Sequence, residues 1–258
     1  IAQAALADAG TYRVEISATA PCSAVFSDDA VLTVIQDIEI IEQPVTEVKC
    51  AGATASFTVN ASGAGLSYQW RRGAATINDG GRISGANTAN LVITNVNAGD
   101  AATNYNVVIS GAGGICPQSI SADVSLVVNP IPDAVGLPVY QTTCSEVNIT
   151  NIQFTGAVPA TTFNWVRDNP GVTGTIGNSG SGNISGNLDN NTNNPITVTF
   201  TITPTASGCP GTPIIVEVLV YPKPVAIPAP ISQTICSGSN ILPIDLSSYV
   251  FNTTFTLV

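Results

Sequence analysis

Hydrophobic and polar positions alternate along most of the chain. Ala55, Phe57 and Val59 share one side of the segment ATASFTVNA, and Leu66, Tyr68 and Trp70 share one side of LSYQW. Tyr105, Val107 and Ile109 repeat the pattern in YNVVIS, as do Val124, Leu126 and Val128 in ADVSLVV. A period of two puts successive side chains on opposite faces of a strand, so each segment predicts a strand with one buried face. No window carries helical periodicity with capping residues. Proline and glycine interrupt the pattern about every ten residues, as turns between short strands require. The pattern predicts an all-β chain.

The cysteines reveal a repeat. They fall at positions 22, 50, 116, 144, 209 and 236, at intervals of 28, 66, 28, 65 and 27 residues. One repeat is therefore about 93 residues long, close to the size of a single β-sandwich domain. Proline-rich joints agree with this register. Asn129-Pro130-Ile131-Pro132 follows the strand ending at Val128, and Tyr221-Pro222-Lys223-Pro224 follows the strand Ile214–Val220. Proline fixes φ and removes a backbone donor, which ends the sheet and stiffens the link. The expected organisation is the closing part of one domain at 1–36, complete domains at 37–130 and 131–223, and the opening part of another at 224–258. The chain reads as a fragment, and the strands around Val31, Leu32 and Val34 are expected to leave apolar faces uncovered.

Composition narrows the function classes. The chain has 258 residues, 17 Asp+Glu against 7 Lys+Arg, a formal net charge of -10 and no histidine. A surface this acidic and poor in cations has no footprint for nucleic acid, and no basic amphipathic stretch suits a membrane surface. No apolar run approaches the length of a membrane span. Without histidine the commonest general base and metal ligand are missing. No G-x-S-x-G elbow or phosphate loop is present, and the acidic pairs Glu42/Glu47 and Asp168/Asp189 fall on separate loops. Six cysteines at regular spacing in an Asn/Thr-rich β-chain predict disulfides, and hence an extracellular setting.

One constellation carries a resemblance. Trp70 lies in a third strand, LVITNV at 91–96 is followed by Asp100 and Tyr105, and Asp8-Ala9-Gly10-Thr11-Tyr12 repeats that last element. These resemble the immunoglobulin-like signature of a core tryptophan, an L-x-I-x-x-V strand and a turn ending in a tyrosine corner. The resemblance implies tandem immunoglobulin-like β-sandwich domains, beads on a string, with Trp70, Tyr105, Trp165 and Tyr12 as core anchors. The positions that carry bridging cysteines in antibody-type domains hold Phe57 and Val107 here. In the next repeat, FNWVRDNPGV, a Gly/Asn/Ser-rich run and the phrase Pro222-Lys223-Pro224-Val225-Ala226 with Gln233-Thr234-Ile235-Cys236-Ser237-Gly238 resemble the PKD-like repeats of giant Bacteroidetes surface proteins. This second resemblance implies type IX secretion, an outer-membrane-associated cell-surface location and a role in adhesion, gliding or matrix binding. The partners implied are neighbouring repeats of the same polypeptide, surface glycans, or outer-membrane anchoring and secretion proteins.

Disulfide connectivity stays open at this point. Pairing within a repeat gives Cys50–Cys116 and Cys144–Cys209, with partners for Cys22 and Cys236 outside the chain. The other readings are a staple from Cys50 to Cys209, because seven strand residues span roughly 23 Å while a disulfide needs Cα atoms within about 7 Å, and free thiols. No cofactor is expected. Calcium is the one metal considered, with Asp28, Asp29 and Asp37 (and Glu39 nearby) as candidate ligands and a solvated turn as the competing reading. A spacer role, a glycan- or protein-binding module and accessory domains of a secreted enzyme are the functions weighed, and no catalytic residue is expected.

Overall fold

The computed structural model describes residues 3–168, 171–250 and 253–256. The chain divides into two compact units, Ile1–Asn129 and Pro130–Val258. Both are all-β, and the helical turns among the described residues are three-residue 3-10 segments at Leu6–Asp8, Ala98–Asp100 and Ala112–Gly114.

In the first unit, residues from Glu39 to Asn129 form a sandwich. One sheet runs in the order Ala75–Thr76, Ser67–Arg72, Ala102–Ser110, Val124–Asn129 and Glu47–Cys50, with Ser119–Ile120 also paired to Ala102–Ser110. The facing sheet runs Ile83–Ser84, Asn90–Ile93, Ala55–Thr58. The alternation read from the sequence decides what lies between them. Phe57, Trp70, Leu91, Ile93, Tyr105, Val107, Ile109 and Leu126 form one buried cluster. Three aromatics meet at its centre: Phe57 stacks on Tyr105 at 5.1 Å between ring centroids and tilts against Trp70 at 6.1 Å. Aromatic pairs in this range add to what area burial alone contributes, and Phe57 and Val107, at the positions that carry a disulfide in antibody-type domains, are both fully buried.

Residues 10–32 form a separate small ladder in which Gly10–Tyr12 pairs with Ala30–Leu32 and Glu15–Ile16 with Val25–Phe26. Of the apolar residues named for this segment, Val31 is 75% exposed, whereas Leu32 and Val34 are half-buried. Tyr12 is corrected as a core anchor. It is 45% exposed because no second sheet of the described residues packs over its ladder, whereas Tyr105 is 2% exposed.

The second unit repeats the plan. Its large sheet runs Tyr140–Cys144, Ile214–Tyr221, Ile196–Ala206, Thr162–Arg167, Ser179–Ser181. The strand Ile196–Ala206 alternates without a break, burying Val198, Phe200 and Ile202 and turning Thr197, Thr199, Thr201, Thr203 and Thr205 outward. Facing it lie the ladder Val135–Leu137 with Gln153–Thr155 and the ladder Val172–Thr173 with Asp189–Asn190. The core comprises Ile152, Phe154, Trp165, Ile184, Leu188, Phe200, Val216 and Val218, among others. Trp165 meets Phe200 edge to face at 5.7 Å. Its indole packs against Gly180, where any Cβ would collide with the ring. Beyond residue 224, Ile227–Ala229 pairs with Asp245–Ser247 in a short exposed ladder.

Candidate functional site

The polar groups singled out by the sequence are employed within the fold. Asp100 receives two charge-assisted hydrogen bonds from Arg82, Nη1 to Oδ2 at 2.8 Å and Nη2 to Oδ1 at 2.9 Å. It also accepts from the Asn97 N–H at 2.8 Å. The Arg82 hydrogen bond, with the Asn97 N–H assisting, holds the Asp100 carboxyl below the usual carboxylate range although partial burial opposes this. The Tyr105 hydroxyl donates to the Asp100 carbonyl at 2.7 Å, which closes the tyrosine corner, and burial pushes its phenol up. The same device stands at Tyr12, whose hydroxyl donates to the Asp8 carbonyl at 2.6 Å while Asp8 accepts from the Ala5 N–H at 2.8 Å. Arg82 was not singled out by sequence reasoning. Its one signal is a lone cation upstream of the Asp-to-Tyr turn, and eighteen residues separate it from Asp100.

The acidic residues do not converge. Glu47 pairs with Lys49 at 2.8 Å. Asp168 accepts from the Thr199 N–H at 3.3 Å, and Asp189 accepts from the Glu146 N–H at 3.1 Å. The calcium candidates Asp28, Asp29 and Asp37 are not assembled. Among the described residues no group of three or more His, Cys, Asp or Glu could hold a metal ion, and Asp37 accepts from the neighbouring Ile38 N–H at 2.9 Å. A hollow of ≈ 440 Å³ lined by Cys144, Asn193, Tyr221, Pro222, Val250 and Thr253 contains no carboxylate. No helix of the described residues is long and apolar enough to cross a membrane.

The cysteines depart from the within-repeat pairing. Cys50 and Cys209 are disulfide-bonded, whereas Cys22, Cys116, Cys144 and Cys236 are free thiols. Neither Cys50–Cys116 nor Cys144–Cys209 is therefore present. Topology supplies the reason. Cys50 ends its strand opposite Asn129, the last residue of the last strand of its sandwich. The Cys116 thiol lies instead 3.9 Å from the carbonyl of Gln36, just before the first strand of that sandwich. Opposite ends of a sandwich are too far apart for a bond that needs Cα atoms within about 7 Å.

The Gly/Asn/Ser-rich run at 174–194 is structural. Ile176, Ile184 and Leu188 project from it into the core. Asn190 is buried and donates from Nδ2 to the carbonyls of Asn194 at 2.8 Å and Val220 at 2.9 Å. Its Oδ1 accepts from the Thr192 N–H at 2.9 Å.

Comparisons agree with this architecture. Residues 141–224 match the family described as the PKD-like domain. No curated protein matches the sequence. Among solved structures, the E-to-A mutated variant of the three-immunoglobulin-domain titin fragment is 17% identical with a TM-score of 0.50, covering 82% of this chain and 75% of that one. An I-band fragment of titin is 16% identical with a TM-score of 0.49, covering 74% and 68%. Sidekick-1 immunoglobulin domains 1–5 are 16% identical with a TM-score of 0.45, covering 95% and 54%. At 17% identity the likeness to the first of these speaks for the fold alone. The chain is built of immunoglobulin-like β-sandwiches, and its residues 141–224 are similar to the PKD-like domain.

Proposed function

We propose that this chain is a load-bearing spacer: a stretch of stalk from a secreted bacterial cell-surface adhesin or fibre of the repeat-built Bacteroidetes kind, exported by the type IX route. The observation that carries the reading is the parallel pairing of the second strand of each sandwich with its last strand. In the first sandwich Glu47–Cys50 lies parallel to the last strand, Val124–Asn129, and in the second Tyr140–Cys144 lies parallel to Ile214–Tyr221. Force applied at the two ends of such a domain pulls these neighbours in opposite directions along their length. The ladder is then loaded in shear, and its bonds must fail together rather than one after another. An interior filled by its own Trp-centred cluster, together with a disulfide, favours a long-lived extracellular part. The acidic surface opposes self-association.

Single-molecule stretching of the full chain under reducing conditions tests this. Two separate force peaks are expected, each releasing about 300 Å of contour at roughly 3.5 Å per residue. Extension of both domains without force peaks contradicts a load-bearing role. Specific binding of the full chain on a glycan array would instead make it a recognition module.

A further inference from the structure

The free cysteines are not scattered thiols; they stand on two recurring frames, and one cysteine of each frame is disulfide-bonded. The first frame is a strand end. Cys50 and Cys144 each close a strand parallel to the last strand of their sandwich, opposite Asn129 and Tyr221. In both, the next residue donates its N–H to that same last-strand residue, Ala51 to Asn129 and Ser145 to Tyr221, at 2.8 Å. A residue with left-handed backbone follows, Gly52 at φ 85° and Glu146 at φ 68°. The N–H three positions after the cysteine then returns to the cysteine carbonyl at 3.1 Å. Cys236 heads the same turn, with Gly238 at φ 84° and the Ser239 N–H to its carbonyl at 3.1 Å. Gln141 and Gln233, each three residues before the cysteine, pin the backbone nine positions on, at Thr150 and Leu242, through both amide atoms.

The second frame is the hairpin that follows a long strand. Cys209 sits on the return of the hairpin after Ile196–Ala206, paired with Ala206. Cys116 lies between Ala102–Ser110 and its return strand Ser119–Ile120. Cys22 lies between Glu15–Ile16 and Val25–Phe26. The bonded cysteines are one strand-end residue, Cys50, and one hairpin residue, Cys209. In the same two sandwiches the free thiols are the complementary members, Cys116 and Cys144.

We propose that Cys144 and Cys116 are the two complementary halves of a repeating disulfide linkage. Cys144 bonds a hairpin cysteine of another repeat, and Cys116 bonds a strand-end cysteine of another. Each frame already carries a bonded cysteine in this chain, and the backbone that presents Cys50 is reproduced bond for bond around Cys144. The step is a two-electron oxidation by a disulfide oxidant such as oxidised glutathione. A thiolate attacks the oxidant and forms a mixed disulfide, and the second thiolate displaces glutathione. Two S–H bonds are lost and one S–S bond forms, while the electrons and protons leave as two molecules of glutathione.

The test oxidises the full chain with oxidised glutathione at rising protein concentration and maps interchain links in non-reduced digests by mass spectrometry. Links between a strand-end cysteine (Cys144 or Cys236) and a hairpin cysteine (Cys116 or Cys22) are expected to predominate over same-class links. Cys144→Ser is expected to abolish the Cys144–Cys116 peptide and leave Cys50 and Cys209 each disulfide-bonded. Equal yields of same-class and cross-class links, or thiols that end only as glutathione mixed disulfides, would overturn the proposal.

Discussion

Two tryptophans with the same sequence context are held differently. Trp70 is fully buried and donates its indole N–H to the Thr88 carbonyl at 2.9 Å. Trp165 is 8% exposed, and its indole nitrogen is buried with no hydrogen-bond partner. Replacing Trp70 with Phe removes buried ring volume and the hydrogen bond to the Thr88 carbonyl. The same change at Trp165 removes an N–H that already lacks a partner. Trp70→Phe is therefore expected to cost about 2–4 kcal/mol and Trp165→Phe at least 1 kcal/mol less, measured by denaturant unfolding under reducing conditions. The Arg82–Asp100 pair gives a pH dependence with a defined sign. Because the folded state lowers the Asp100 pKa, its contribution is present above the ordinary carboxylate value near 4 and is lost as pH falls through the depressed folded value. The stability difference between the wild type and Asp100→Asn should thus shrink on acidification from pH 7 toward pH 3. A difference that stays constant over that range would show that the pair adds no pH-dependent stability.

At the scale of elements, the parallel edge strands can be tested residue by residue. The Glu217 N–H donates to the Val139 carbonyl at 3.0 Å and the Ser145 N–H to the Tyr221 carbonyl at 2.8 Å. Parallel pairing between those bounds turns the odd-numbered residues of Tyr140–Cys144 toward the neighbour and the even-numbered ones outward. Thr143→Pro removes a ladder donor, whereas Thr142→Pro removes one that faces away from the sheet. Thr143→Pro is expected to destabilise the second domain by about 1–3 kcal/mol and to lower its unfolding force, with Thr142→Pro clearly milder in both. Alternation made these strands readable, since Val198, Phe200 and Ile202 announce their burial through the threonines between them. The run 174–194 was not readable in that way. Glycine and asparagine dominate it, and its order comes from three isolated apolar residues and from side-chain-to-backbone bonds such as those of Asn190, which no periodicity encodes. The Gln-Thr-x-Cys-Ser phrase was visible as a motif, but its physical content is a glutamine pinning backbone nine residues on.

At the scale of the whole molecule, the repeat was written in the cysteine intervals, and the Trp-centred interiors followed from alternation. Connectivity did not follow, because equal spacing within each repeat suggests a pair while the ends of a sandwich hold the two cysteines apart. The Arg82–Asp100 contact was hidden for a related reason, since two loops far apart in sequence meet only after the sheets close. The claim beneath the proposed role is that each domain stands on its own core. Hydrogen exchange of full-chain Phe57→Ala under reducing conditions tests it most directly. Truncating Phe57 removes the ring between Trp70 and Tyr105, a lesion of about 3–5 kcal/mol. The account predicts faster exchange throughout the strands from Glu47 to Asn129 and unchanged protection in Ile196–Ala206 and Ile214–Tyr221. A parallel loss of protection in both sets of strands would contradict it.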